Sequence, residues 1–247
     1  MRSMLRFGTA AAMAAALLLP LRAADSGITK EQADAILNEL KQIRQILEKQ
    51  AKLAQQAAQP QEPQPQKARL KLEGTEMIGS PDAPLTMVEF TDYQCPFCQR
   101  FHAATFGDLK KTYIDTGKVR FYSKDLPLDF HPNAFRAAEA ARCAGDQGQF
   151  WKMRDVLGSN PGKLSAENIE QFAQEMQLNM PTFRSCMEVG KYKSAVDADL
   201  KLAQSIGVNG TPSFVIGKST PEGVDGELVV GALPFAMFEE KLKGVAK

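Results

Sequence analysis

The chain has 247 residues, with 30 Lys and Arg against 29 Asp and Glu, for a formal net charge of +1. A balance this even, with no basic stripe, argues against a nucleic-acid partner. A chain of this length buries a real core, so its four cysteines, Cys95, Cys98, Cys143 and Cys186, are not needed as staples for folding.

Residues 1–24 have the character of a secretory signal peptide. Arg2 and Arg6 precede an apolar run, Phe7 to Leu21, and the small residues Ala23 and Ala24 follow. The run is short for a membrane span of ~20 residues, and Pro20 interrupts its end. The exit is imperfect: cleavage after Ala23 puts Leu21 at the −3 position, and cleavage after Ala24 puts Arg22 there. The expectation is export to the periplasm with cleavage; an uncleaved anchor is the lesser alternative. In an oxidising compartment thiols tend to become disulfides. Four cysteines permit three pairings.

Residues 25–56 contain a predicted helix, Ile28 to Gln56, which Thr29 opens with Gln32 three residues on, the spacing of a capping box. Ile36, Leu40, Ile43 and Leu47 are spaced four, three, four, a heptad seam. Ile36 and Ile43 take d positions and Leu40 and Leu47 take a positions, with Leu37 at e and Ile46 at g widening the seam. Leu at a with Ile at d leans away from parallel dimers, toward trimers or tetramers. The seam covers only about two heptads, and an amphipathic helix docked on its own domain is the alternative to a coiled coil and a homo-oligomer. The Pro/Gln-rich stretch Gln55 to Lys67, "QQAAQPQEPQPQK", predicts an extended, semi-rigid linker, assigned to residues 57–69.

Residues 70–247 form the predicted globular domain. Leu85 to Asp92, "LTMVEFTD", predicts a buried strand after the turn "GSPDAP". Cys95 to Asp115 predicts a helix ending before Gly117, and "KVRFYSKDLP" a second strand. Residues 131–206 are helical in several pieces. "TPSFVIG" and "GELVVG" predict two short strands a turn apart, and "PFAMFEEKLKGVA" a closing helix. A parallel crossover pair, then an antiparallel hairpin and a helix, implies a small mixed α/β sheet with a helical insertion between its halves.

Cys95 and Cys98, in "EFTDYQCPFCQRF", sit where strand gives way to helix. The thiolate is what attacks a disulfide, so an exchange cysteine needs a lowered pKa. A helix start supplies it through unpaired N–H groups and the helix dipole. Pro96 suits the first helical position, and Cys98 shares a helix face with Cys95. Cys95 is thus expected to be exposed and reactive, with Cys98 beneath it. A zinc site would want two more soft ligands at knuckle-like spacing, which neither Cys143 and Cys186 nor His102 and His131 supply. A staple across two residues constrains an unfolded chain poorly. No metal or organic cofactor is implied.

At these residues the chain resembles the thioredoxin-fold thiol–disulfide oxidoreductases, and within them the DsbA-like family. The resemblance runs from about Gly74 to the C-terminus on "VEFTDYQCPFC", "FHPNA", "GQFW" and "GVNGTPSF". It implies a thioredoxin-like fold with a helical insertion, Cys95 as nucleophile and Cys98 as resolving thiol. It also implies a cis Pro212 facing the pair, with the Thr211 backbone free to pair with an extended substrate. Glu89, six residues before Cys95, would be a buried acid handling the proton of Cys98. It shares strand parity with Leu85 and Met87, and burial there is expected to raise its pKa. The resemblance further implies a structural disulfide between Cys143 and Cys186; two buried thiols or a second redox pair are the alternatives. One departure is Phe97, where DsbA has a histidine: it offers the thiolate no charge or donor, which leaves the direction of electron flow open. His102 is expected at solvent or the groove, His131 as a helix-entry residue, Lys124 as solvated and Trp151 as core.

The expected function is an exported oxidase that forms disulfides in protein substrates and is reoxidised by a membrane partner. The alternatives are an oligomeric isomerase or reductase assembled through the N-terminal helix, and a non-enzymatic binding module using an apolar groove at Phe97 and Pro212.

Overall fold

The computed structural model describes residues 27–57 and 66–246. The signal-like segment and most of the Pro/Gln-rich stretch lie outside these residues. The chain divides into two compact units, Met1–Glu62 and Pro63–Lys247.

In the first unit, helix α1 spans Lys30–Ala57. The capping box forms as its sequence dictates: the Gln32 N–H donates to Thr29 Oγ1 at 3.2 Å, and the Thr29 N–H donates to Gln32 Oε1 at 3.1 Å. Ile36, Leu40, Ile43 and Leu47 are all exposed, as are Leu37 and Ile46. The helix therefore carries a full apolar stripe on one face.

The second unit is built on a six-stranded mixed sheet. Its strands are β1 (Lys67–Lys71), β2 (Met77–Ile78), β3 (Leu85–Thr91), β4 (Val119–Asp125), β5 (Ser213–Ser219) and β6 (Gly223–Val230), in the order β1-β6-β5-β3-β4-β2. β3 and β4 are parallel, while β5 pairs antiparallel with both β3 and β6. Helix α2 (Pro96–Phe101) makes the crossover from β3 to β4. It runs on through a π turn at His102–Phe106, an α segment at Gly107–Leu109 and a second π turn at Lys110–Ile114. Gly117, with φ +72°, lets the chain leave the helix in a left-handed conformation. Five helices then form the insertion: α3 (Ala134–Gly145), α4 (Phe150–Ser159), α5 (Ala166–Glu175), α6 (Met180–Glu188) and α7 (Lys193–Ser205). Helix α8 (Phe235–Val245) closes the unit.

The strand β1 lies partly in the stretch expected to be linker. Ala68 and Leu70 are buried while Lys67, Arg69 and Lys71 are exposed, so the segment alternates as a half-buried edge strand must. Charged side chains on its outer face blunt the edge against pairing with other chains. The two-residue β2 was also not foreseen. All seven residues of β3 are buried. One face, with Leu85 and Met87, packs on Phe101, Leu109 and Phe238, and the other, with Val88 and Phe90, packs on Leu70, Val215 and Ala203. Burying a side chain such as Phe101 fully contributes about 1.5–3 kcal/mol. A third cluster fills the insertion around Ala137, Cys143, Met153 and Phe183.

The insertion is tied to the sheet by charge as well as packing. Arg142 of α3 donates to Asp125 and to Asp199 of α7, and Lys124 donates to Asp199 at 2.8 Å. Lys124 is thus buried and paired, not solvated as its position after a strand suggested. Two carboxylates leave the water only because two cations accompany them.

Candidate active site

The cysteine pair sits where the chain turns from β3 into α2. Cys95 has extended backbone, φ −72° and ψ 121°, and Pro96 occupies the first helical position. The Gln94 N–H donates to Asp92 Oδ1 at 2.7 Å, and the Cys95 N–H donates to the Asp92 carbonyl at 3.1 Å. These bonds fix the turn that presents the sulfurs. The Thr211–Pro212 peptide bond is cis, and the Thr211 carbonyl lies 3.4 Å from Cys95 Sγ. The structure so brings Cys95, Cys98, Pro96, Thr211 and Pro212 together. Phe97 is half exposed beside them, and the Arg100 guanidinium lies 5.1 Å from its ring centroid.

Cys95 differs from expectation in one respect. It is only 3% exposed, because its sulfur is tucked against the Thr211 carbonyl instead of standing out in solvent. Cys98 is equally buried and takes a hydrogen bond from the Asp92 N–H at 3.5 Å.

The two thiols are driven apart in acidity. A hydrogen bond from Cys98 is the largest influence on Cys95, and it outweighs burial. Thr211 and the backbone N–H groups of Phe97 and Cys98 add to it, and the thiol is drawn down to about 5. Cys98 moves the other way: burial, its bond to Cys95 and the negative charge of Glu89 push it well above the ordinary range. At neutral pH the pair holds one proton, on Cys98, beside a Cys95 thiolate. A reactive thiolate next to a protonated partner is what disulfide exchange requires.

Glu89 corrects an expectation. It is completely buried, and burial does push its carboxyl up, but His102 and Arg154 outweigh that push and hold it below the usual carboxylate range. His102 Nε2 lies 2.9 Å from Oε1, and Arg154 Nη2 donates to Oε2. Arg154 is 2% exposed and is itself held by Ser123 Oγ at 3.1 Å, the residue that pairs with Glu89 in the β3–β4 ladder. Its guanidinium lies 5.2 Å from the Trp151 ring and 5.4 Å from the Phe106 ring. Glu89 is therefore an ionised carboxylate with a cationic partner, not a neutral acid in an apolar pocket.

Neither partner of Glu89 was singled out from sequence. His102 lines a cleft, as its expected place at solvent or the groove allows, and its ring also reaches Glu89, which the sequence does not indicate. Arg154 lay unnoticed between Met153 and Leu157, both buried. The available signal was Glu89 itself: a charge on a fully buried strand demands a cation from the elements packed on that face. His131 was expected at the entry to α3. It is there, and its Nδ1 also lies 2.7 Å from Asp92 Oδ2, which accepts the Leu128 N–H at 2.8 Å. This locks the loop before α3 onto the residue that orients Cys95.

Away from the pair, Cys143 of α3 and Cys186 of α6 are disulfide-bonded, with Cα atoms 5.9 Å apart and a sequence separation of 43. Among the described residues no three His, Cys, Asp or Glu side chains gather as a metal site would need. No helix of the described residues is long and apolar enough to cross a membrane.

A parallel β3–α2–β4 crossover, an antiparallel hairpin, a five-helix insertion and a CxxC dithiol at a helix start make a thioredoxin-like fold with a helical insertion. The family model described as Thioredoxin matches residues 71–225, and the chain belongs to that family. The alpha-DsbA1 of Wolbachia pipientis superposes with a TM-score of 0.63 at 23% identity, over 71% of this chain and 92% of that one. A thioredoxin-like oxidoreductase from Silicibacter pomeroyi superposes with a TM-score of 0.59 at 27% identity, over 70% of this chain and 92% of its own. A protein named as the Na(+)/H(+) antiporter NhaA 3 of Salinispora tropica is 33% identical over 139 residues, 56% of this chain. The chain spans about a fifth of that relative's length, 21%.

Proposed function

We propose that the chain is an exported protein thiol–disulfide oxidoreductase that works through Cys95 and Cys98. The observation that carries this is the placement of Cys95 at a helix start, its sulfur 3.4 Å from the Thr211 carbonyl beside the cis Pro212, with Cys98 buried next to it. In the oxidised protein a substrate thiolate attacks Cys95 Sγ. The Cys95–Cys98 bond breaks, Cys98 departs with the electron pair and takes a proton. The second substrate thiol then attacks the mixed disulfide and leaves the substrate oxidised and Cys95 as thiolate. Glu89 handles the proton of Cys98. An extended substrate lies along Thr211 and Pro212, against Pro96 and Phe97. Cys143 and Cys186 hold the insertion and take no part in exchange.

Oxidation of substrates is the direction favoured here. A Cys95 thiol drawn down to about 5 stabilises the reduced protein, which makes its disulfide a stronger oxidant even without a histidine at Phe97. A membrane partner would restore the disulfide, in the periplasm.

A second reading is supported by the apolar seam on α1, whose Ile36, Leu40, Ile43 and Leu47 are all exposed. Self-association through it would set several dithiol sites around a shared space, as suits an isomerase. The test is scrambled-substrate isomerase activity and sedimentation of the full chain, with and without Leu40→Glu and Leu47→Glu. Isomerase activity lost together with the oligomer supports the second reading; oxidase activity indifferent to the seam supports the first.

A further inference from the structure

We infer that His102 carries protons between solvent and the Glu89 carboxylate during exchange at the cysteine pair, which makes the cleft beside α2 the proton entrance of the site. The inference rests on the reading of the chain as a thiol–disulfide oxidoreductase and names a residue that reading does not supply.

Glu89 is 0% exposed, so it has no direct route to water. Both its oxygens are engaged, one by His102 Nε2 at 2.9 Å and the other by Arg154. Arg154 stays cationic and gives up no proton at working pH. The Thr91 hydroxyl, also near Glu89, is far too weak an acid to do so. That leaves His102, whose side chain is 19% exposed and belongs to the one residue type that ordinarily gains and loses a proton between pH 5 and 8. It opens on a cleft of about 460 Å³ lined also by Gln99, Ala103, Phe106, Lys110 and Ser159, ample for a chain of waters. The charged groups facing this place are Arg154, whose Nη2 lies 2.9 Å from His102 Nε2 and whose Nη1 lies 3.5 Å from Nδ1, together with Lys110 and Asp155. Lys110 is paired with Asp115 at 2.6 Å, and Asp155 lies 3.8 Å from Arg154. The π turn starting at His102 is the backbone device that aims the ring inward, and π turns inside helices recur at functional sites.

The steps balance. When Cys98 leaves with the electron pair of the broken S–S bond, a proton moves from His102 Nε2 to the Glu89 carboxylate and from Glu89 on to Cys98 Sγ. Cleft water then returns a proton to the His102 ring. One proton has moved from solvent to Cys98 Sγ, and Glu89 and His102 are as they began. When the pair is reoxidised, the same route runs outward. Arg154 is a positioning residue in this scheme: it holds the carboxylate ionised and ready to accept.

The test is the pre-steady-state rate at which a dithiol peptide reduces the oxidised full chain, from pH 5 to 8, followed by the fluorescence of Trp151, the single tryptophan. His102→Gln keeps a donor toward Glu89 but moves no proton. His102→Ala opens an imidazole-sized hole onto the cleft. The expected result is a loss of about tenfold or more near pH 7 in both variants, a flattened pH profile in His102→Gln, and recovery of His102→Ala, but not of His102→Gln, on adding imidazole. The idea is overturned if His102→Gln keeps the wild-type rate and pH profile, or if imidazole restores nothing to a folded His102→Ala. Should His102→Ala fail to fold, the profile of His102→Gln decides alone. If the wild-type chain is not reduced at all, the oxidoreductase reading itself fails, an outcome distinct from a reactive wild type that His102→Gln matches.

Discussion

Arg154 and Glu89 form an ion pair in which both side chains are sealed from solvent, at 2% and 0% exposure, beneath the turn that carries Cys95 and Cys98. The pair joins helix α4 of the insertion to the central strand β3. It makes the insertion part of the active site's electrostatics and not only a cap on the sheet.

Removing one partner leaves the other charge buried alone. Arg154→Met is expected to destabilise the domain by about 3–5 kcal/mol, read as a lower urea midpoint. Adding Glu89→Gln to that variant should return part of the loss, since an amide needs no cation. A urea midpoint for Arg154→Met equal to wild type would show that the pair contributes nothing.

The acidity of Cys95 is directly measurable. Thiolate absorbance of the reduced chain should titrate with a midpoint near 5, and Cys98 should resist alkylation at neutral pH. Because the Cys98 hydrogen bond is the largest influence on Cys95, Cys98→Ala should raise that midpoint. A midpoint at the ordinary cysteine value of about 8.5 would contradict this.

The same shift links redox state to stability. The folded-state value of about 5 lies below that of an unfolded cysteine, about 8.5. The reduced form therefore gains stability that is fully present above about pH 8.5 and is lost as pH falls through about 5. The oxidised form has no such gain, while the carboxylates affect both forms alike. The difference in Tm between reduced and oxidised protein should narrow steadily from pH 8.5 to 5, and a difference independent of pH would count against the thiolate.

The Cys143–Cys186 disulfide closes a long loop, with 43 residues of sequence separation. Loop-closure entropy gives about 4 kcal/mol for such a loop. The double variant Cys143→Ala, Cys186→Ala should lose stability of that order by urea unfolding while keeping dithiol exchange at Cys95. Loss of exchange with the fold intact would give this pair a redox role.

The sequence made the strand–helix placement of Cys95 and Cys98 legible because apolar runs, Pro96 and the helix start all agree locally. The hairpin of β5 and β6 and the five pieces of the insertion were equally readable from turns and helical spacing. What escaped depended on contacts distant in sequence. Strand β1 is only five residues of alternating pattern hidden beside a proline-rich stretch, and its partner β6 lies some 155 residues on. The ionised state of Glu89 depends on His102 and on Arg154, the latter 65 residues away. Its own strand predicted burial correctly and the consequence of burial wrongly, because local parity says nothing of what packs above. Lys124 illustrates the same limit, since Asp199 reaches it from α7.

The central claim is that Cys95 and Cys98 form a reversible dithiol whose reduced form is stabilised by the Cys95 thiolate. Equilibrating the full chain with defined ratios of reduced and oxidised glutathione tests it most directly. The account predicts one two-electron transition, absent in Cys95→Ser, with a potential above the thioredoxin value of about −270 mV and toward the DsbA value of about −120 mV. No reversible transition, or a potential below about −300 mV as in inert structural disulfides, would contradict it.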